Sequence, residues 1–252
     1  MLYYQNTSFE IRAAQPHTAI LPIAAIENHG RHLPVGTDWM IMDAIARRVA
    51  ETLGDGHYLL PTMPFGTSAN HGGTAGTVWL APNTLMHVVR DLVESLLVVG
   101  VRRVVVINQH GGAGETSVIP RGNYIVKTIV RQLNYDHPEL TAIWVQPFTA
   151  AKQELLNLLP SAADEVHAGA LETSILLALE DDRVKGQGED FVPGVGKEYM
   201  DYLPFSAISP SGVWGRPSAA TASLGDAILE ASVQGTVRYV KESFAHLEAI
   251  RH

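Results

Sequence analysis

Three side chains of the types that bind metal ions lie close together near the start of the chain. Glu27 and His29 directly follow an almost uninterrupted apolar run over residues 19–26, which predicts a strand buried on both faces. Side chains alternate across an extended chain, so both should point to the same side. Thr37 is the predicted N-cap of the next helix, which puts Asp38 in its first turn. All three could therefore converge at the carboxyl end of a strand, the usual site position in open α/β sheets.

His110 is a fourth candidate ligand, because it follows a β-branched strand predicted over residues 102–108. If the two strands are neighbours, their ends bring His110 to the other three side chains. Four such ligands suffice for a pair of divalent ions if the aspartate bridges them, and nitrogen and oxygen ligands suit zinc, manganese or iron(II). The competing interpretation is that these are polar loop residues that cap helices, and spacing alone does not decide between the two.

The glycine-rich turn after His110 also has two interpretations. Residues 111–114 could cradle a phosphate or a cofactor, but they lack the G-x-G-x-x-G pattern and the P-loop lysine. Alternatively, the small residues Gly111 and Gly112 let a substrate approach the metals. His71 lies in another loop, rich in glycine, serine and threonine, where it could contact substrate, support a ligand, or be only a surface residue.

A second pair of candidate residues lies later in the chain. His167 comes just before an apolar helix and Glu172 lies within it, and each needs a polar partner if it is buried. Glu172 could hold a ligand histidine or bind a metal itself. Residues 183–218 are rich in glycine, proline and aromatic residues, which predicts a folded excursion that serves as a lid or a subunit contact. Trp214 in this excursion could form an apolar wall of a substrate pocket.

The elements that must position these residues alternate between strands and helices. Further strands are predicted over residues 58–63 and 141–146, and helices over 37–53, 83–100, 116–133, 150–159, 173–179 and 222–250. Right-handed crossover connections would place the strands in one mainly parallel sheet. A length of 252 residues suits a single α/β domain over residues 1–252.

The composition excludes several classes of partner and site. The formal net charge is -8 and no run of lysine or arginine occurs, which argues against nucleic acid or an anionic membrane as partner. Cysteine is absent, so disulfides, cysteine-ligated zinc and a thiol nucleophile are excluded. The chain opens with no basic region followed by an apolar one, and no apolar run approaches the roughly 20 residues that span a bilayer. We therefore expect a cytoplasmic protein with a small-molecule substrate.

Five stretches of the sequence resemble motifs of the creatininase (creatinine amidohydrolase) family. Residues 27–38, ENHGRHLPVGTD, match its E-x-H-G-x-H-L-P-x-G-T-D signature. The other four are residues 70–77, similar to E-H-x-x-F-P-G-T, residues 108–112, similar to N-G-H-G-G, residues 167–174, similar to H-A-G-x-x-E-T-S, and residues 212–221, similar to G-V-x-G-x-P-x-x-A-T. Together these stretches span nearly the whole chain.

The resemblance implies a fold, a metal site and an assembly. The fold would be a three-layer α/β/α arrangement with a mainly parallel central sheet. Subunits of the family often form hexamers, so we expect a homo-oligomer, with a hexamer as its state. By matching positions, the expected site holds two divalent ions, with Glu27 and His110 on one, His29 on the other, and Asp38 bridging both.

One position departs from the family pattern. In members that hydrolyse creatinine, a glutamate two residues beyond the turn histidine also binds the second metal, whereas this chain has Gly112 there. The fourth contact would have to come from Glu172, water or substrate, and creatinine itself becomes a doubtful substrate. Other members act as deformylases, as peptidases in the maturation of peptide cofactors, or as ring-opening hydrolases of keto-inositols.

The resemblance also implies hydrolysis of a cyclic or linear amide in a small molecule. A water shared between two metal ions would lose its proton near neutral pH and attack the carbonyl. His167 is the expected proton donor to the leaving nitrogen, with Glu172 orienting it. Two other classes compete: a non-catalytic α/β ligand-binding protein that keeps the motifs for structure, and a nucleotide-dependent enzyme that uses the turn at residues 111–114.

Overall fold

The computed structural model describes residues 2–109 and 124–251 and contains a parallel sheet of five strands. The strands are β1 (Leu2–Tyr3), β2 (Thr18–Ile23), β3 (His57–Leu59), β4 (Arg103–Asn108) and β5 (Thr141–Val145). Their order is β1-β3-β2-β4-β5, and all four pairings are parallel. β2 pairs with β4 over its whole length, with Ile23 opposite Asn108 at the carboxyl ends. The two strands are neighbours, which is the condition for the residues after their carboxyl ends to meet.

Nine α-helices lie within the described residues. They are α1 (Ser8–Ala14), α2 (Thr37–Leu53), α3 (Pro82–Val98), α4 (Tyr124–Asp136), α5 (Pro147–Ala150), α6 (Lys152–Leu158), α7 (Ala170–Glu180), α8 (Phe205–Ile208) and α9 (Ala222–Arg251). In the described part of the chain, no helix combines the length and the apolar character needed to cross a bilayer.

Different helices cover the two faces of the sheet. Val105 and Ile107 of β4 point into a core shared with α2, α7 and α9, whereas Val104 and Val106 point into a core shared with α3 and α4. Successive side chains of a strand project to opposite faces, so a strand buried on both sides needs an unbroken apolar run. The fold is a three-layer α/β/α arrangement with a parallel central sheet, as predicted.

Helix α2 has the predicted bounds, but it begins with a different cap. Gly36 is the N-cap residue and no side chain caps the helix, so the prediction that Thr37 is the N-cap is wrong. Thr37 is already helical, and its Oγ1 donates a hydrogen bond to the Pro34 carbonyl at 2.7 Å. Asp38 nevertheless lies in the first turn, as predicted, and Gly54 ends the helix with a φ of 79° that glycine adopts easily.

Several other elements differ in extent from the prediction. β2 ends at Ile23 instead of residue 26, because its pairing with β4 stops at the Ile23–Asn108 pair. On the β3 side, Ile23 makes one further isolated parallel bridge, to Met63. The helix predicted over residues 150–159 is divided between α5 and α6. The sequence did not predict β1 or α1. Within residues 183–218, the longest elements are the 3-10 segment Lys197–Asp201 and helix α8.

Helices α7 and α9 approach closely at Gly225. A Cβ atom at Gly225 would overlap the backbone carbonyl of Ser174 and would lie 2.9 Å from the backbone nitrogen of Ile175. Glycine therefore permits a contact between the two helix backbones that a side chain would prevent. Helix α7 carries Glu172, so this contact helps to determine where that carboxylate lies.

Candidate metal site

Six buried polar side chains meet beyond the carboxyl end of β2, and we call them the ligand cluster. They are Glu27, His29, Asp38, His71, His167 and Glu172. None of them is more than 7% exposed. Their nitrogen and oxygen atoms form three overlapping groups in which all chosen atoms lie within 4.8 Å of one another: Glu27 with His71 and His167, His29 with His167 and Glu172, and Glu27 with His29 and Asp38.

The loop between β2 and α2 brings the first three members together. The amide of Glu27 donates to the carbonyl of Val35 at 2.9 Å, which folds the loop back onto its start. Asp38 follows this loop in the first turn of α2, where exposed amides favour a carboxylate. The predicted convergence of Glu27, His29 and Asp38 is therefore present in the structure.

His29 presents one ring nitrogen to two carboxylates. Its Nδ1 lies 3.1 Å from the Glu27 backbone carbonyl, which can only accept, so we assign the proton to Nδ1. Nε2 then faces the cluster, 3.5 Å from Asp38 Oδ1 and 3.8 Å from Glu172 Oε2. Two ligands that share a tetrahedral ion at about 2.1 Å are separated by roughly 3.4 Å. The spacing therefore suits a metal ion between these groups.

The carboxylates favour a positive charge at the centre of the ligand cluster. Burial lowers the pKa of His29, but the carboxylates of Asp38, Glu172 and Glu27 outweigh it and raise that pKa to about 10. Burial raises the pKa of Glu172 to about 7. A divalent cation would satisfy the same carboxylates and displace the proton on His29, so the residues present fit a metal ion.

His71 and His167 face the same oxygen of Glu27. His71 Nε2 lies 3.4 Å and His167 Nδ1 lies 3.6 Å from Glu27 Oε1. The ring of His71 stacks on Phe205 with a centroid separation of 4.6 Å. His71 is thus buried in the site, and the alternative that it is a surface residue is wrong.

The orientation of His167 is set by a backbone carbonyl. Its Nε2 donates to the carbonyl of Asn28 at 2.6 Å, which leaves the lone pair of Nδ1 facing Glu27. Burial, together with the charges of His29 and His71, lowers the pKa of His167 well below its usual value. Glu172 was the expected orienting partner, but its Oε2 accepts a hydrogen bond from the amide of Ala168 at 2.6 Å.

The remaining predicted site residues divide into two groups. His110, Gly111 and Gly112 lie outside the described residues. Trp214, the predicted pocket wall, is buried in an apolar cluster with Phe205, and its backbone pairs with that of His167. A contact between Trp214 and substrate stays a prediction.

Sequence reasoning missed two residues that support the site. His32 is buried and its Nε2 lies 3.0 Å from the Thr173 hydroxyl, which links the loop after β2 to α7. Its position in the same loop as His29 was the signal available. Asn28 acts through its main chain, and no residue type signals a carbonyl used in this way.

Comparison with known proteins identifies the family. The chain matches the creatininase family model, described as creatinine amidohydrolase, over residues 4–240. It is 29% identical over 242 residues to the creatinine amidohydrolase of Pseudomonas putida, covering 92% of each protein. It is also 29% identical over 253 residues to the mycofactocin precursor peptide peptidase of Mycolicibacterium smegmatis, covering 94% of this chain and 89% of the relative.

A solved structure shares the fold over nearly the full length. The structure, described as "Creatininase Mn", matches with a TM-score of 0.79 at 25% identity and covers 96% of this chain and 98% of its own. The family match, the two relatives and this structure all span most of the chain. The chain belongs to the creatininase family and is a hydrolase that acts on C–N bonds.

Proposed function

We propose that this chain hydrolyses an amide bond in a small molecule with two divalent metal ions per chain. The observation that carries the proposal is the ligand cluster, whose six buried side chains offer only carboxylate oxygens and imidazole nitrogens. Such ligands suit zinc, manganese and iron(II). When bound, a pair of ions would make water acidic enough to attack near neutral pH and would polarise the carbonyl group.

The proposed ligands are Glu27 and His110 for one ion, His29 and Glu172 for the other, and Asp38 as the bridge. The short distances among Glu27, His29 and Asp38 support the bridge, because one carboxylate can then reach both positions. Gly112 stands where the family resemblance implies a glutamate. We assign Glu172 as the ligand that replaces this glutamate, since its Oε2 lies 3.8 Å from Nε2 of His29, the nitrogen that faces the cluster.

We propose that His167 carries the proton that the leaving nitrogen needs. The hydrogen bond from Nε2 to the Asn28 carbonyl holds the ring so that Nδ1 is free to accept a proton from the attacking water. Glu27 Oε1, 3.6 Å from Nδ1, would stabilise the imidazolium that forms. His167 would then donate this proton to the nitrogen as the C–N bond breaks. Glu172 lies in one ligand group with His167, so its negative charge would also stabilise the imidazolium.

Two substrate classes are supported by different relatives. The Pseudomonas putida relative is named for a cyclic amide, and the Mycolicibacterium smegmatis relative is named for a peptide. Because Gly112 replaces the glutamate of creatinine-hydrolysing members, we rank other substrates above creatinine. Formamides, short peptides and keto-inositols are the classes to examine.

We also propose that residues 1–252 form one domain, and that the protein is a cytoplasmic homo-oligomer, with a hexamer as the expected state. The family resemblance supports the assembly. The charge of -8 without basic runs supports a small-molecule partner in place of nucleic acid or a membrane. Light scattering of the protein eluting from a sizing column tests the assembly, and a monomeric mass would contradict it.

The activity is tested by incubating the manganese- or zinc-loaded protein with cyclic amides, formamides, short peptides and keto-inositols. We expect turnover of at least one class, its loss after chelation, and its loss in His167→Ala with metal retained. His137→Ala is the matched control, because that histidine contacts Glu94 on α3 and is not a member of the ligand cluster. If the metal-loaded protein hydrolyses none of these classes, the proposed substrates are wrong.

A further inference from the structure

Glu165 is a buried carboxylate near the ligand cluster that the proposed reaction does not use. It is only 5% exposed. Its Oε1 accepts a hydrogen bond from the Arg216 amide at 3.1 Å, and its Oε2 accepts one from the Leu171 amide at 3.4 Å. A charge is costly to bury unless it is hydrogen-bonded, and the first turn of a helix stabilises an anion. One carboxylate therefore joins the start of α7 to the segment around Arg216.

Two glycines let these segments come together around the carboxylate. A Cβ atom at Gly169 would overlap Glu165 Oε2, and a Cβ atom at Gly215 would lie 2.6 Å from the Cα of Gly169. The Gly215 Cβ would also lie 3.2 Å from the carboxyl carbon of Glu165. The backbones thus cross in direct contact, and the carboxylate lies at the crossing.

The same crossing determines the position of His167. The Trp214 carbonyl accepts hydrogen bonds from the amides of Val166 at 2.8 Å and His167 at 3.2 Å. The Trp214 amide donates to the His167 carbonyl at 2.8 Å. Arg216 is two residues further along the same strand-like segment. By holding the Arg216 amide, Glu165 fixes the segment to which the backbone of His167 is paired.

We propose that Glu165 is a positioning residue, which holds the backbone so that Nδ1 of His167 faces Glu27. The effect on turnover rests on the proton-transfer role that we propose for His167. The effect on the geometry of the imidazole does not rest on it. Glu165 acts through the main chain, because it accepts hydrogen bonds from the amides of Leu171 and Arg216.

The test compares Glu165→Gln with Asp190→Asn in the metal-loaded, full-length protein. Both changes replace a carboxylate by a carboxamide of the same shape. Asp190 is the matched control, because it accepts hydrogen bonds from the Ser218 amide and hydroxyl at 2.9 Å and 2.6 Å on the exposed side of the same segment. A carboxamide at residue 165 must direct its NH2 group at one of the backbone amides, so one hydrogen bond is lost.

The readouts are the nitrogen NMR signal of the His167 Nε2–H group, the metal content and the steady-state kinetics. For Glu165→Gln we expect a shifted or broadened signal, unchanged metal content, and a kcat lowered about tenfold with KM changed less than about twofold. Asp190→Asn should leave all of these values unchanged. An unaltered His167 signal and kcat in Glu165→Gln would overturn the proposal.

Glu165→Asp keeps the proposal testable if the glutamine variant does not fold. Aspartate keeps the charge but is shorter by one methylene group, so it cannot hold both amides. We expect the same change in the His167 signal and a similar loss of kcat. If Glu165→Asp keeps the wild-type signal and the wild-type kcat, only the charge matters, and the proposal is overturned. If the wild-type protein turns over no substrate but its His167 signal still depends on Glu165, the proposed function fails while the positioning role stands.

Discussion

Replacing Gly225 with alanine tests whether α7 is held in place by a direct contact between helix backbones. The new Cβ atom would overlap the Ser174 carbonyl and lie 2.9 Å from the Ile175 nitrogen. Because the obstructing atoms are backbone, a helix has to move, and overpacking of this kind costs about 1–3 kcal/mol. Alanine in a helix is about 1 kcal/mol more favourable than glycine. We expect the overpacking cost to lie in the upper part of its range. Subtracting the gain in helix propensity leaves a net loss of about 1–2 kcal/mol in the free energy of unfolding.

Two glycine variants provide controls for this value. Gly235 lies in the same helix, so its replacement by alanine brings the same gain in helix propensity. The new Cβ atom would lie 2.9 Å from the backbone of Ala150, which is a milder clash than the overlap at Gly225. We expect the Gly225 variant to be less stable than the Gly235 variant by about 1 kcal/mol. A Cβ at Gly194 would meet no atom within 4 Å, so Gly194→Ala should stay within about 0.5 kcal/mol of the wild type.

The assay is urea unfolding followed by circular dichroism, with a chelator present so that bound metal does not alter the apparent stability. The free energies of unfolding should decrease in the order Gly194→Ala, Gly235→Ala, Gly225→Ala. A Gly225 variant as stable as the wild type, or more stable than the Gly235 variant, would refute the argument that the helix backbones are in contact there.

Three further predictions concern the site and the edge of the sheet. His29→Ala should lose metal, whereas His167→Ala should keep metal and lose turnover; elemental analysis and kinetics measure this, and equal metal loss in both variants would contradict the division of roles. Chelation should lower the melting temperature and added manganese or zinc should restore it, because metal at 100 times its Kd stabilises the native state by about 2.7 kcal/mol per site. An unchanged melting curve would show that no metal is bound to the native state. Asn134→Ala removes two 2.8 Å hydrogen bonds, which join the Asn134 side chain to the amide and carbonyl of Ala142 on the edge strand β5. We expect the free energy of unfolding to fall by about 1–3 kcal/mol, and an unchanged urea denaturation curve would contradict this.

Helices and strands were predictable where the spacing of apolar residues along the sequence matches the face that the element buries. Helix α2 has an apolar face that repeats at helical spacing and a glycine at its end, and its bounds match the prediction. The apolar run that begins in β2 continues to residue 26, but the pairing with β4 ends at Ile23. Where a neighbouring strand ends is decided by the fold, so the apolar run alone overestimates the length of β2. Helix α1 buries no residue, so it lacks the apolar periodicity by which a helix is recognised.

The site was predictable to the extent that its residues come from one segment. Glu27, His29 and Asp38 follow a single strand or begin the next helix, so their convergence follows from local geometry. His71 and His167 come from distant loops, and only the tertiary fold brings both to one oxygen of Glu27. Contacts made by main-chain groups, such as the Asn28 carbonyl on His167, leave no trace in residue type.

The central claim is that the ligand cluster binds two divalent ions bridged by Asp38. The most direct measurement is the metal content per chain of the unchelated protein, of Asp38→Ala, and of Asp43→Ala. Asp43 is the matched control, because it lies in the same helix and pairs with Arg47. We predict close to two ions per chain for the wild type and Asp43→Ala, and close to none for Asp38→Ala. A wild-type protein that holds no metal and takes up none from manganese or zinc buffers would contradict the account.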